Sequence, residues 1–497
     1  MEKRKLNIIT MTSRLPEFLG DGFVVFAVTL FLLRIPSGSY LDVTGSKYRL
    51  FTVACAAYVI LTALAWLIVS KERPKLTAFS CLLAAYVLFS GLSALLSPYA
   101  GTLFGNARRD GFVTALLYAL CAWLLSLNFR PKKWLLPLLG LSACLYCGIG
   151  ILQLLGRNPL GLYPQGCSYY DKYIRYGGEF LTTTGNVDFC ASVLSVLFGV
   201  FFSGMICLKS RRALLLALPL LLVTFLILAV KVEAGLVAIV AGLLLLPPVL
   251  VRSRHGLART LLADGTAALA FGLAACLQFY DGGVSASAGL RVCACLGAAV
   301  LLAVLCVLLR QREEKCGRYG LALAVVSAFL LAAGFVLAYF CGAKSGVIYE
   351  AHEILHGRAQ DSFGSGRLGI WKNALEKVRQ RLLLGGGPDT LGQRKLPMFS
   401  RYDERLGRTV YAAVDTAHNE YLNILVNQGL LTLSSYLGLL VLSAIRWIRN
   451  REDLASAVAG AAALLYCVTA FFGISMCFTT LYLMIALAVL NRKTASR

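Results

Sequence analysis

His418 stands in Asp415–Thr416–Ala417–His418–Asn419–Glu420–Tyr421–Leu422, a short polar run at the start of an apolar stretch. A neutral imidazole, with a pKa near ~6.5, can accept a proton from a hydroxyl at neutral pH. Upstream lie Ser365–Gly366–Arg367–Leu368–Gly369–Ile370–Trp371 and Gly385–Gly386–Gly387–Pro388–Asp389–Thr390, and downstream Gln428–Gly429–Leu430. A guanidinium such as Arg367 can hold a phosphate by paired hydrogen bonds and permanent charge. Two further histidines form His352–Glu353–Ile354–Leu355–His356, a literal HExxH, in which the histidines would bind zinc and the glutamate would act as base. Such a site needs a third ligand. The extended form fails at Ala359 and Ser362, which leaves Glu376 as a candidate. Cys144 and Cys147 make a CxxC, but inside a leucine-rich stretch with no second pair, which reads as packing.

These residues need elements to position them, and the composition says what kind. Of 497 residues, 58% are hydrophobic and 15% charged, and the mean hydropathy is +0.72. A soluble domain carries about 25% charged residues. Apolar runs of membrane-spanning length recur throughout, and lipid forces such runs into helices because it offers the backbone no partners. The pattern predicts about fourteen spans, near 18–34, 49–69, 76–96, 112–128, 134–154, 188–207, 213–230, 234–251, 260–279, 291–309, 319–340, 418–445, 455–471 and 473–490. The expected fold class is an all-α polytopic membrane protein with a large outer loop. Its parts are a bundle over 1–341, a loop over 342–417 and closing helices over 418–497.

The net charge of +23 does not read as a nucleic-acid footprint, because the basic residues fall in short groups between apolar runs. With Lys3, Arg4 and Lys5 inside, every second loop is basic: Lys71/Arg73/Lys75, Arg130/Lys132/Lys133, Lys209/Arg211/Arg212, Arg252/Arg254/Arg259, Arg310/Arg312/Lys315/Arg318 and Arg446/Arg449/Arg451. The tail carries Arg492, Lys493 and Arg497. Both termini are then cytoplasmic. Three outer loops break the rule: 97–111 with Arg108 and Arg109, 155–187 with Arg157, Lys172 and Arg175, and 342–417 with twelve Lys and Arg. Long loops translocate whatever their charge; the functional reading is an anionic ligand outside, a phosphate above all. The sixteen cysteines read mostly as small buried hydrophobes, with Cys167 and Cys341 the candidate disulfide.

Within the longest loop, Ile370–Arg381 reads as an amphipathic helix with Ile370, Trp371, Ala374, Leu375 and Val378 on one face. Gly385–Pro388 is expected to end it. The following span is expected to begin at His418, capped by Asp415 or Thr416.

The ordered set from Gly366–Arg367 through Trp371, the triple glycine, His418–Asn419–Glu420–Tyr421–Leu422 and Gln428–Gly429 resembles the O-antigen ligase/polymerase superfamily of membrane glycan transferases. The resemblance is strongest over about 360–445. Leu103–Gly111 and Gly185–Phe189 are similar to that family's first outer loop and to the opening of a middle span. The resemblance implies a GT-C-like helical bundle and transfer of a glycan from a polyprenyl-diphosphate carrier to a hydroxyl on a lipid, protein or glycan acceptor. It also implies His418 as the acceptor-side base and Arg367 as the diphosphate ligand. Asn419 and Tyr421 would orient the histidine or bind sugar hydroxyls, with a structural role the alternative. No metal is implied, and no Asp-x-Asp motif is present.

One stretch departs from the pattern. Where related proteins carry a Ser-Arg-Gly-like triplet, this chain has Val230–Lys231–Val232–Glu233–Ala234–Gly235. Lys231, or Arg108 and Arg109, would have to supply the missing charge, and lysine is the poorer bidentate ligand. Ligase and repeat-unit polymerase share these motifs; the long loop favours ligase. The other readings are a glycan or lipid transporter, against which charged residues within the spans are scarce, and the HExxH protease.

Overall fold

The computed structural model describes residues 14–69, 75–155, 157–162, 182–282, 286–309, 318–340, 342, 346–403 and 408–492. Cys167, Cys341, Lys172, Arg175 and the basic groups at 3–5 and 310–315 lie outside them.

The chain is dominated by helices: α1 (Leu15–Phe26, widening into a π-turn to Phe31), α2 (Val43–Val69), α3 (Ala78–Leu95), α4 (Phe112–Asn128), α5 (Leu135–Leu154), α6 (Val187–Cys207), α7 (Ala217–Val230) and α8 (Glu233–Leu250). Then follow α9 (Arg254–Gly282), α10 (Ala286–Leu309), α11 (Arg318–Phe340), α12 (Gly346–Leu355), α13 (Arg367–Gln380), α14 (Glu420–Arg449), α15 (Leu454–Ala470) and α16 (Cys477–Leu490). Among the described residues nine helices are long and apolar enough to cross a membrane: α2, α3, α5–α9, α11 and α14. Four shorter apolar helices, Phe112–Asn128, Arg291–Val307, Leu454–Ala470 and Cys477–Leu490, coincide with other expected spans. The most apolar stretch of α11 has a mean hydropathy of 2.6 and none of it is buried, as suits a surface that faces lipid.

The all-α class expected holds, and the segment between α13 and α14 adds one short hairpin. Phe399–Asp403 and Arg408–Ala412 pair as an antiparallel hairpin, Phe399 opposite Ala412 and Asp403 opposite Arg408. The run Thr409–Val410–Tyr411 is β-branched and aromatic, and it extends more readily than it coils.

At the centre stands α6, nearly all of it buried, packed by α7, α8, α9 and α15. Its Ser195 and Ser203 return their hydroxyls to Ala191 and Gly199 carbonyls at 2.7 and 2.6 Å. The partner helix α15 buries Ala457, Ala461 and Ala462. Small side chains allow close backbone approach, which is how helices associate where lipid removes the hydrophobic drive. The N-terminal end of this central helix starts at the Asn186 cap and carries Asp188 in its first turn.

The scarcity of charge inside the spans is only partly upheld. Lys47 in α2 is buried, and its Nζ donates to the Phe31 and Leu32 carbonyls at 2.9 and 3.4 Å, groups left open where α1 ends. Asp264 lies within α9.

Candidate functional site

α13 begins at Arg367, three residues before the expected start, because Gly366 at φ 82° turns the chain into it. Ile370, Ala374 and Val378, at helical spacing, bury one face, while Leu375 is exposed. Arg367 donates Nη1 to the Gly364 carbonyl at 2.9 Å and holds Nη2 4.0 Å from Asp188 Oδ1 on α6. Its Nε is buried without a partner among the described residues, and so is Trp371 Nε1 one turn further along the same side. Buried donors left open mark places where something else supplies the acceptor.

The triple glycine does not end this helix, which stops at Gln380. Instead it repairs a break in α14. Gly429 is non-helical there, at φ 81° and ψ 178°. The two helical bonds lost at that break are replaced by the segment 382–387. Leu430 and Leu431 N–H donate to the Leu382 and Leu383 carbonyls at 2.8 and 3.3 Å. Gly386 and Gly387 N–H donate to the Val426 and Asn427 carbonyls at 3.3 and 2.6 Å. A Cβ on Gly385 would meet Asn427 O at 2.4 Å, and one on Gly429 would meet Leu383 O at 2.2 Å. Only glycine fits at either place, and both have positive φ.

From this junction a chain of amides reaches His418. Asn427 Oδ1 accepts from Thr390 N–H at 3.3 Å and its Nδ2 donates to Asn423 Oδ1 at 3.2 Å. Asn423 Oδ1 also accepts from the Ala417 N–H at 3.2 Å. Asn419, rather than Asp415 or Thr416, caps α14, its Oδ1 taking the Leu422 N–H at 3.0 Å; the helix starts at Glu420. The reason is conformational: Asn419 is extended at φ −156°, as a cap requires. His418 sits before it at φ 47°, a left-handed conformation costing about 1–2 kcal/mol in a non-glycine residue. Burial pushes its imidazole below the ordinary histidine pKa. The charges of Arg367 and Arg108 add to this, and Asp188 and Asp415 oppose it. These surroundings favour the uncharged imidazole.

The segment 96–108 locks on from the other side. Asp389 takes the Asn106 and Arg108 backbone N–H groups on Oδ2 at 2.5 and 3.2 Å. Arg108 grips Asp415, with Nε 2.9 Å from Oδ2 and Nη2 donating to Oδ1 at 3.1 Å. Arg381 reaches the Leu96 carbonyl at 3.2 Å and Gln393 that of Ala100 at 2.9 Å. Arg109 is exposed at φ 56°, and Lys231 is exposed at φ 58° in the turn between α7 and α8. So Arg367, Arg108 and His418 share one neighbourhood, and Arg109 and Lys231 lie at exposed positions. Tyr421 donates its hydroxyl to the Cys467 carbonyl at 2.9 Å.

Two acidic residues were missed by sequence reasoning. Asp188 faces Arg367. Glu420 is buried, accepting Tyr436 and Tyr466 hydroxyls at 2.6 and 2.7 Å. Both line a small cavity of about 20 Å³ with Phe189, Tyr466, Thr469 and Phe472. The available signal was a carboxylate in the first turn of an apolar helix, at each of two places.

The HExxH segment is arranged differently. His352 and His356 stack at 4.1 Å between ring centroids, and their Nδ1 atoms meet the Ala338 and His352 carbonyls at 3.2 and 2.8 Å. Glu353 holds Arg358 by two bonds of 2.8 and 2.7 Å. Glu376 is exposed on α13. Among the described residues no group of three His, Cys, Asp or Glu side chains is set to hold a metal.

Multiple apolar helices, with a polar segment that brings His418 into the neighbourhood of Arg367 and Arg108, define a class of multi-pass membrane protein. The family model described as O-antigen ligase matches residues 266–437, which carry Arg367, the triple glycine, His418 and Gly429, and this bears out the resemblance to the O-antigen ligase/polymerase superfamily. No curated protein matches the chain.

Proposed function

We propose that this protein is an O-antigen ligase-like glycosyltransferase that moves a glycan from a polyprenyl-diphosphate carrier to an acceptor hydroxyl on the outer face of a bacterial cytoplasmic membrane. The observation that carries the reading is His418 set in the neighbourhood of Arg367, whose Nε is an open buried donor. In this reading the four shorter apolar helices and 15–31 also cross the bilayer, giving about fourteen crossings with both termini inside. The bundle over 1–341 and the helices over 418–497 are GT-C-like, and 342–417 is the catalytic loop.

His418 takes the proton of the acceptor hydroxyl as its oxygen bonds to the anomeric carbon. The bond from that carbon to the diphosphate oxygen breaks, and the electron pair leaves with the diphosphate. Arg367 offsets the developing charge, which a permanent cation does without a metal. The proton passes from His418 to water. Arg108 holds Asp415, and through it the approach to His418. Arg109 and Lys231 attract the diphosphate from the rim, and Asn419 and Tyr421 keep the histidine in place.

A strain lacking the gene, complemented with wild type or His418→Ala, tests this. Carrier-linked polymer should accumulate without the gene, and wild type should clear it. His418→Ala should lower transfer by about 10²–10⁴-fold. Accumulation of single repeat units would instead assign a polymerase, the alternative within the same superfamily. Full complementation by His418→Ala would overturn the mechanism.

A further inference from the structure

A second cleft, of about 290 Å³, opens beside Arg367 and is used by no step above. One wall is polar: Asp361, Ser362 and Asn373. Among the described residues nothing hydrogen-bonds the Ser362 hydroxyl or the Asn373 amide. The rest of the lining is apolar or without a side chain: Pro397, Met398 and Val414, with Gly366 and Gly369. The volume stands at the lower edge of the usual ligand-pocket range of about 300–1,000 Å³, room for a sugar unit.

Each feature suits a sugar ring. A pyranose presents hydroxyls at its rim and C–H groups on its face. The polar wall offers a carboxylate acceptor, a hydroxyl and an amide that both donates and accepts. The apolar wall offers a surface for the C–H face. The lining holds no cation, since Lys372, which approaches Asp361 to 3.9 Å, points to solvent at 67% exposed; the walls therefore have nothing to attract phosphate. Helical geometry places Gly369, Ile370 and Asn373 on one face of α13, with the cap Gly366 at its head and Arg367 as its first residue. A glycan whose diphosphate end meets Arg367 can thus run along the helix into this cleft.

We propose that this cleft binds uncharged sugar units of the transferred glycan or of its acceptor, which rests on the transferase reading above. The full-length protein, in membranes of its own host, would carry the photo-crosslinker p-benzoylphenylalanine in place of Asn373, Met398 or, as control, Leu375. Leu375 is exposed on the same helix and away from the cleft. Irradiation should join glycan to the protein at 373 and 398 and not at 375. Mild acid, which cleaves a glycosyl diphosphate, would free a lipid carrier from the adduct if the sugar belongs to the donor, and none if it belongs to the acceptor. In parallel, Ser362→Ala and Asn373→Ala should each raise KM about fivefold with kcat unchanged, as the loss of one hydrogen bond to substrate predicts. Absence of glycan adducts at 373 and 398, with transfer intact and KM unmoved, would overturn the sugar site alone. An unchanged glycan profile in the deletion strain would overturn the transferase reading instead.

Discussion

The chain contains two histidine motifs, and the structure supports them in opposite ways. His352 lies on α12, a helix with no buried residue, and His356 follows its last residue; their contacts are to the same helix, to Arg358 five residues from Glu353, and to the neighbouring α11, where His352 meets the Ala338 carbonyl and Tyr339 stacks at 4.4 Å on His356. His418 is held from afar. Its conformation depends on Asn423 and Asn427, on the 382–387 segment, and on Arg108 some three hundred residues earlier. A helix can generate HExxH spacing by periodicity alone. A non-glycine residue at φ 47° persists only where its surroundings impose it, and such strain gathers at functional sites.

This contrast can be broken at its strongest point first. Gly429→Val places a branched side chain at φ 81°, 2.2 Å from the Leu383 carbonyl. Backbone strain alone is about 1–3 kcal/mol, so the variant should lose transfer completely and elute from detergent as misfolded protein. Recovery of a folded, active enzyme would show that the junction does not hold the site. Asn427→Ala removes the amide link between the junction and Asn423. It should cost about 1–3 kcal/mol and lower kcat about tenfold through misplacement of His418, read by thermal unfolding and single-turnover transfer. Unaltered kcat would disconnect the amides from the histidine.

A smaller effect concerns pH. Burial and two arginines hold His418 below its ordinary pKa, and Asp188 pulls the other way. Asp188→Asn removes that pull, so the pKa falls further and the acid limb of the rate profile should move to lower pH. An upward shift would mean that His418 does not set that limb. The smallest effect is expected at the other motif. His352→Ala and Glu353→Gln should each change stability by less than about 0.5 kcal/mol, as surface substitutions do, and leave transfer within about twofold. A large loss at either residue would erase the distinction between the two regions.

Much of the molecule was readable beforehand. Runs of apolar residues specify helices in lipid without reference to their neighbours, and the nine long helices and four shorter ones fall where hydropathy placed them. The face of α13 that buries Ile370, Ala374 and Val378 was visible as spacing. The set of residues at the candidate site was half visible. Arg367 and His418 stood out by type and motif, and Asp188 and Glu420 did not, because a carboxylate opening a helix has an ordinary reading as a favourable charge at the N-terminus. The role of the triple glycine was misread for a related reason. Locally, glycine and proline end helices; that these glycines serve a break forty residues later depends on a partner the local sequence does not name.

The sequence by itself determined which segments are apolar enough to be helices in a membrane, which residues can take a proton or hold a phosphate, and which family the late loop resembles. These follow from side-chain chemistry and local period. Tertiary structure decided that Gly385–Gly387 pair with the broken α14, that Asn419 is the cap, that Arg108 is committed to Asp415, and that Asp188 faces Arg367. Each of these is a choice among many chemically similar partners, made where packing brings backbones together and every buried polar group must find a match.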